Sequence, residues 1–188
     1  GFLEELEEDE LRTVFEVAVF GTWALTKEVL PLLKGAHRGQ IIMISSLSGR
    51  MAIPGLGSYC SSKFALEGLS ETWRHELKSF GIDVLIVQPG AYRTDMTTNR
   101  NVSRSAGTTD SRYSAMGIEL SEWYERMVIG RAREPSRLAN KVVDLIEQDK
   151  PTLRHPIGPS TGWRRLIINL LPFAFLEQYF QRVLMRKR

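Results

Sequence analysis

Tyr59 and Lys63 stand four residues apart in a stretch whose apolar residues recur at helical spacing, so both side chains share one helix face. Such a pair can move a proton. A phenol titrates near ~10, too high for good exchange at neutral pH. An ammonium beside it favours the phenolate and is expected to lower that value. Ser46 lies thirteen residues before Tyr59, at the end of an apolar run. A hydroxyl there can sit beside the phenol and hydrogen-bond a substrate oxygen. Ser45 and Ser48 compete for that role. Taken singly, these features are ordinary: a surface tyrosine beside a solvated lysine, and a serine completing a turn.

The elements that must position these residues follow from periodicity. From about Glu8 to Leu33, Leu11, Val14, Phe15, Val19, Trp23 and Leu30 recur at helical spacing, which predicts one long helix ended by Gly35 and Gly39. Gln40 to Ser45 is a short continuous apolar run, suited to a buried parallel strand. A Ser- and Gly-rich loop follows, Ser46 to Gly57. A helix is expected from Ser58 to Phe80, stopped by Gly81. Ile82 to Val87 reads as a second buried strand, with Pro89-Gly90 turning the chain off its end. Tyr92 to Arg133 is polar and weakly periodic until about Leu120, and loops this long are usually functional or disordered. A helix from Pro135 to about Gln148 and a short strand over Thr152–His155 complete the alternation. That order argues an α/β domain with a parallel sheet and right-handed crossovers. Ligands on such sheets bind at the carboxyl ends of the strands, which directs attention to Ser45–Ser48 and Pro89–Thr94.

Composition excludes several classes. The 188 residues carry a net charge of +3 with acids and bases mixed. A nucleic-acid footprint would need a basic stripe with aromatics, and the chain has none outside its extreme carboxyl terminus. The single cysteine, Cys60, allows no disulfide within the chain. His37, His75 and His155 are scattered, without ligand spacing, so no metal site is expected. The opening Leu3 to Glu10 reads as an acidic helix start, not a signal peptide, and the chain is expected to be truncated or processed upstream of Gly1. Asn101-Val102-Ser103 fits the glycosylation pattern but reads as a plain loop.

In combination the motifs are specific. Ile44-Ser45-Ser46, the thirteen-residue gap, Tyr59-x-x-x-Lys63 and Pro89-Gly90-x-x-x-Thr94 all fall on the expected ligand side. Ser58 to Leu66 closely resembles the active-site helix of the short-chain dehydrogenase/reductase family. Gly21 and Leu30-Pro31 also match. The resemblance is strong over about residues 8 to 96. It implies a Rossmann-like sheet with flanking helices, incomplete because the amino-terminal strands are missing, followed by carboxyl-terminal helices. It implies an oxidoreductase interconverting an alcohol and a ketone or aldehyde with NAD or NADP, of which NADP is favoured. Tyr59 would be the general acid/base. Lys63 would lower its pKa and bind the nicotinamide ribose. Ser46 would orient the substrate carbonyl. Pro89, Gly90 and Thr94 would line the nicotinamide pocket. The extended sugar-nucleotide epimerases also carry a Tyr-x-x-x-Lys pair, but the short Ser46–Tyr59 gap and the Pro-Gly string argue against them.

Two departures stand out. The glycine-rich dinucleotide loop is absent. Gly55-Leu56-Gly57 is no substitute, because no strand precedes it and it lies inside the active-site loop. Three of the family's seven strands are therefore expected here, with poor dinucleotide binding by this stretch alone and an unpartnered first strand. Second, Ala18 stands where the family usually has an Asn that helps hold a proton-relaying water. Both departures also suit an alternative, a catalytically silent binding or regulatory scaffold.

Residues 1–158 are expected to form part of the Rossmann domain, with a substrate-covering loop over about 96–122. Residues 159–188 form an apolar tail with basic ends. Trp163, Leu166, Ile167, Ile168, Leu170, Phe173, Phe175 and Phe180 could pack on the protein, pair subunits or touch a membrane, while Arg164, Arg165, Arg182, Arg186, Lys187 and Arg188 suit an anionic surface. Pro172 and the tail's shortness exclude a span. The expectation is a cytoplasmic homodimer or homotetramer, with membrane association through the tail, acting on a lipophilic small molecule such as a steroid, retinoid or long-chain carbonyl. If the relay water matters, Ala18→Asn in the full polypeptide should raise turnover; unchanged turnover would sink the idea.

Overall fold

The structure is a computed structural model that describes residues 1–36, 38–98, 111–158 and 172–185. The expectations resting on His37, on Asn101–Ser103, on Trp163 to Leu170 and on Arg186 to Arg188 lie outside the described residues.

The long amino-terminal helix forms as expected, with one fault. α1 (Glu8–Phe15) and α2 (Thr22–Gly35) are joined by a π-helical stretch, Glu16–Gly21. A Cβ at Gly21 would lie 3.1 Å from the Glu16 carbonyl oxygen, so a glycine there eases the crowding of the wide turn. Ala18 sits within it. Its carbonyl accepts the Thr22 hydroxyl at 3.1 Å, and the Thr22 carbonyl accepts the Thr26 hydroxyl at 2.8 Å. Such i−4 bonds from threonine are a common accompaniment of helix bending.

Three parallel strands follow, β1 (Gly39–Ile44), β2 (Ile82–Pro89) and β3 (Arg154–Ile157), in the order β1-β2-β3. Register runs from Gly39 opposite Ile82 to Ile44 opposite Val87, and from Ile86 opposite Arg154 to Pro89 opposite Ile157. β2 is central and buried on both faces. Ile82 and Val84 join Met43, Leu66, Trp73 and Leu77 beneath α3 (Gly57–Leu77). Leu85 and Val87 point the other way, against Leu145 of α6 (Pro135–Ile146). This is the period-two alternation of a strand with helices on both sides.

β1 is less buried than its apolar run suggests, as expected of a first strand that lacks a partner on one side. Only Met43 along it is buried, because among the described residues β1 pairs with one strand alone. β3 starts two residues later than the sequence suggests and contains Pro156. An edge strand tolerates the missing N–H. Gly81 ends the α3 segment in the left-handed region at φ 72°.

The expected loop over 96–122 is partly helical. α4 (Asp95–Thr98) is a single turn, and α5 (Ser114–Met127) covers 114–122. Leu120, Trp123, Tyr124 and Met127 recur at helical spacing and build a core with Ile53, Cys60 and Phe180. Phe180 belongs to α7 (Phe173–Leu184). Trp123 meets it edge-on with ring centroids 5.6 Å apart and donates its indole N–H to the Tyr179 hydroxyl at 2.7 Å. The described part of the tail therefore packs on its own protein, which leaves the expected membrane contact without support, although Phe173 and Phe175 remain exposed. Among the described residues no helix is long and apolar enough to cross a membrane.

Trp123→Ala should remove both contacts and cost about 3–5 kcal/mol. The check is a fall in urea midpoint at unchanged slope; a loss below roughly 1 kcal/mol would show that α7 is not held this way.

Candidate active site

β1 delivers its last residues to the carboxyl edge of the sheet. Ser45 extends the ladder by one bond, its N–H donating to the Val87 carbonyl at 2.8 Å. Ser46 is still extended, at φ −161° and ψ 162°, and caps the short turn Leu47–Gly49 by accepting the Ser48 N–H at 3.1 Å. The turn folds tightly back on α3. A Cβ on Gly49 would lie 2.7 Å from Ser45 Oγ, 3.1 Å from Glu67 Cγ and 3.1 Å from the Lys63 carbonyl oxygen, so only glycine fits.

α3 opens at Gly57, placing Tyr59 and Lys63 in its first two turns. The structure brings Ser46, Tyr59 and Lys63 together. The Ser46 hydroxyl hydrogen-bonds the Tyr59 phenol. Lys63 Nζ donates to the Ile44 carbonyl at 2.9 Å and lies 5.9 Å from the Tyr59 ring centroid. The two serine rivals are otherwise placed. Ser45 Oγ is buried without a hydrogen-bond partner, and the Ser48 side chain bonds Cys60.

Burial dominates the electrostatics of the pair. Burial raises the Tyr59 pKa above its ordinary value; the Ser46 bond pulls the other way, and Tyr124 and Cys60 add to the rise. Burial also lowers the Lys63 pKa. Lys63 Nζ is tied to the Ile44 carbonyl, and desolvation disfavours the charged form of both groups.

Pro89 ends β2, and the Gly90 N–H continues the ladder to the Ile157 carbonyl at 2.9 Å. Gly90 lies against the Leu47 side chain, so this strand end adjoins the Ser46 turn. A Cβ there would meet only ordinary contacts. Thr94 is exposed immediately before α4. A surface depression of about 620 Å³ lies elsewhere, lined by Tyr92, Arg133, Arg137 and Lys141, and includes none of the three clustered side chains.

Sequence reasoning missed a polar cluster under the same helix. Glu67, buried one turn beyond Lys63, accepts Gln88 Nε2 at 2.9 Å and Arg154 Nε at 2.8 Å. Arg154 also pairs with Glu71 at 2.8 Å. The available signals were a Gln inside a buried strand and a Glu four residues past the lysine.

A family profile described as short chain dehydrogenase matches residues 1–105. The chain is 34% identical to an uncharacterized oxidoreductase, YusZ, of Bacillus subtilis, over 98% of this chain and 66% of that one. It is 35% identical to a 3-ketodihydrosphingosine reductase of Bacteroides thetaiotaomicron, over 85% of this chain and 58% of that one. A solved short-chain dehydrogenase of Streptomyces avermitilis superposes with a TM-score of 0.73 at 29% identity, over 99% of this chain and 65% of that one. The chain thus spans 58% to 66% of the length of these relatives.

Since the Ser46 bond favours the phenolate, Ser46→Ala should push the Tyr59 titration still higher. Ultraviolet difference titration, with Tyr59→Phe to identify the component, reads the shift; a downward move would contradict the geometry.

Proposed function

The chain belongs to the short-chain dehydrogenase family, and from that premise we propose that it carries the proton-handling side chains of a nicotinamide-dependent oxidoreductase interconverting a secondary alcohol and a ketone, or an alcohol and an aldehyde. The observation that carries this is the cluster of Ser46, Tyr59 and Lys63 at the carboxyl ends of β1 and β2.

The donor set suits the nicotinamide half of a dinucleotide: an ammonium, a phenol and a hydroxyl converge beside a strand end that terminates in Pro89-Gly90. Lys63 would bind the ribose, while Pro89, Gly90 and Thr94 would line the nicotinamide pocket. When bound, the nicotinamide supplies or accepts the hydride. In carbonyl reduction the Tyr59 phenol donates its proton to the oxygen as negative charge develops there. Ser46 accepts the Ser48 N–H, which leaves its one hydroxyl hydrogen to donate either to the phenol oxygen or, once substrate is present, to the substrate oxygen. A phenol is protonated at neutral pH, and burial raises the Tyr59 pKa further, which favours its role as acid in the reductive direction.

The finer assignments rest on less. A lipophilic substrate is supported by the similarity to a protein named for 3-ketodihydrosphingosine reduction. NADP is our first choice of nucleotide. A homodimer or homotetramer is supported by the exposed Val17, Phe20, Leu25 and Leu32 on the amino-terminal helix. Ala18 favours a second reading, a silent scaffold that binds without turnover.

Tyr59→Phe, assayed in the full polypeptide that the gene encodes, should lower reduction of simple ketones by roughly 10²–10⁴-fold while the circular dichroism is unchanged. Measurable wild-type turnover that survives the substitution would refute the role of Tyr59. Nucleotide binding without turnover in the wild type would instead favour the silent scaffold.

A further inference from the structure

α3 rests on the sheet mainly through apolar contacts, Leu66, Trp73 and Leu77 against Ile82, Val84 and Met43. Apolar contact is non-directional and does not by itself stop a helix rotating or sliding on a sheet face. Yet the chemistry proposed above needs Tyr59 held against Ser46. Something directional has to fix the helix.

Glu67 is placed to do so. It is 4% exposed and carries a carboxylate into the helix–sheet interface. Tyr59, Lys63, Glu67 and Glu71 follow at four-residue intervals along α3, so they lie along one stripe. One Glu67 oxygen accepts the Gln88 side chain from β2 at 2.9 Å. The other accepts Arg154 Nε from β3 at 2.8 Å. Arg154 turns a further nitrogen to Glu71, one turn along the same helix, at 2.8 Å. Gln88 and Arg154 belong to neighbouring strands, and Gln88 immediately precedes Pro89-Gly90. The Glu67 stem also touches the Ser46 turn, since a Cβ on Gly49 would meet Glu67 Cγ at 3.1 Å and Ser45 Oγ at 2.7 Å. One buried carboxylate thus borders every element that bears a proposed site residue except the stretch around Thr94.

We propose that Glu67 is a positioning residue: gripped by Gln88 and Arg154, it fixes the rotation and height of α3 over the strand ends and so holds Tyr59 and Lys63 in register with Ser46. This inference rests on the oxidoreductase reading. Glu67 acts through geometry: its two carboxylate oxygens are taken by Gln88 and Arg154, and Lys63 Nζ bonds the Ile44 carbonyl instead. A buried ion pair is weak evidence of stability, since desolvation offsets the attraction, and is better understood here as a device for orientation.

The test uses Glu67→Gln in the full polypeptide, a change that keeps shape but sets an amide NH2 against one of the two donors, Gln88 or Arg154, and so breaks one arm of the grip. At a temperature where circular dichroism shows the variant folded, kcat should fall roughly ten- to a hundredfold, as expected for a small displacement of a proton donor. The Tyr59 titration should also move upward as the Ser46 bond loosens. A folded variant with wild-type kcat and an unmoved Tyr59 titration, changed only in its melting temperature, would overturn the proposal. Should Glu67→Gln not fold, Gln88→Ala carries the same test, because it severs the β2 arm and leaves the Glu67–Arg154 pair in place. The optical titration needs no turnover, so it still decides the positioning role if the wild type proves to be no reductase.

Discussion

The hydrogen bond between the Ser46 hydroxyl and the Tyr59 phenol joins two pieces of backbone that arrive from opposite directions. Ser46 comes off the end of β1 in extended conformation. Tyr59 comes from the first turn of α3. Between them the chain must reverse, and Gly49 permits the tight return by offering no Cβ against Ser45, Lys63 and Glu67. The height of α3 over the sheet sets whether the two hydroxyls meet, and that height depends on the core of Met43, Leu66, Trp73, Leu77, Ile82 and Val84. Packing fixes the distance, while the Glu67 cluster supplies direction.

The same burial that builds the site sets its protonation. Desolvation disfavours phenolate and ammonium alike, so the Tyr59 pKa moves up and the Lys63 pKa moves down. Ser46 is the one neighbour acting in favour of the phenolate. In this state burial outweighs the effect that the four-residue spacing leads one to expect from the ammonium. Lys63 holds the Ile44 carbonyl at the last residue of β1, which ties the helix to the strand that carries Ser46.

Much of the fold was legible because burial leaves a period in the sequence. β2, buried on both faces, reads as an unbroken apolar run, and α3 reads from Phe64, Leu66, Leu69, Trp73 and Leu77. The grouping of Ser46, Tyr59 and Lys63 was legible from residue type and spacing. Less visible were features set by neighbours. The exposure of β1 depends on which strands flank it, and nothing within Gln40–Ile44 encodes that. The π-helical stretch around Ala18 departs from helical hydrogen bonding without disturbing apolar spacing. α5 reads as part of a long loop because its first turns carry Ser114 and Gly117, although Leu120, Trp123 and Tyr124 sit at core spacing. The Glu67 cluster was missed because its partners come from β2 and β3, twenty-one and eighty-seven residues away in sequence.

The central claim is that a buried, protonated Tyr59 is the acid of a nicotinamide-dependent reaction. The pH dependence of kcat/KM in both directions, measured on the full polypeptide, tests it most directly. Carbonyl reduction needs the phenol protonated, so it should be level through neutral pH and decline only above the ordinary tyrosine value of about 10, because burial raises the Tyr59 pKa. Alcohol oxidation needs the phenolate and should rise through that same range. A reductive profile that falls through pH 4–6, where carboxylates titrate, would contradict the account and assign the proton to another group.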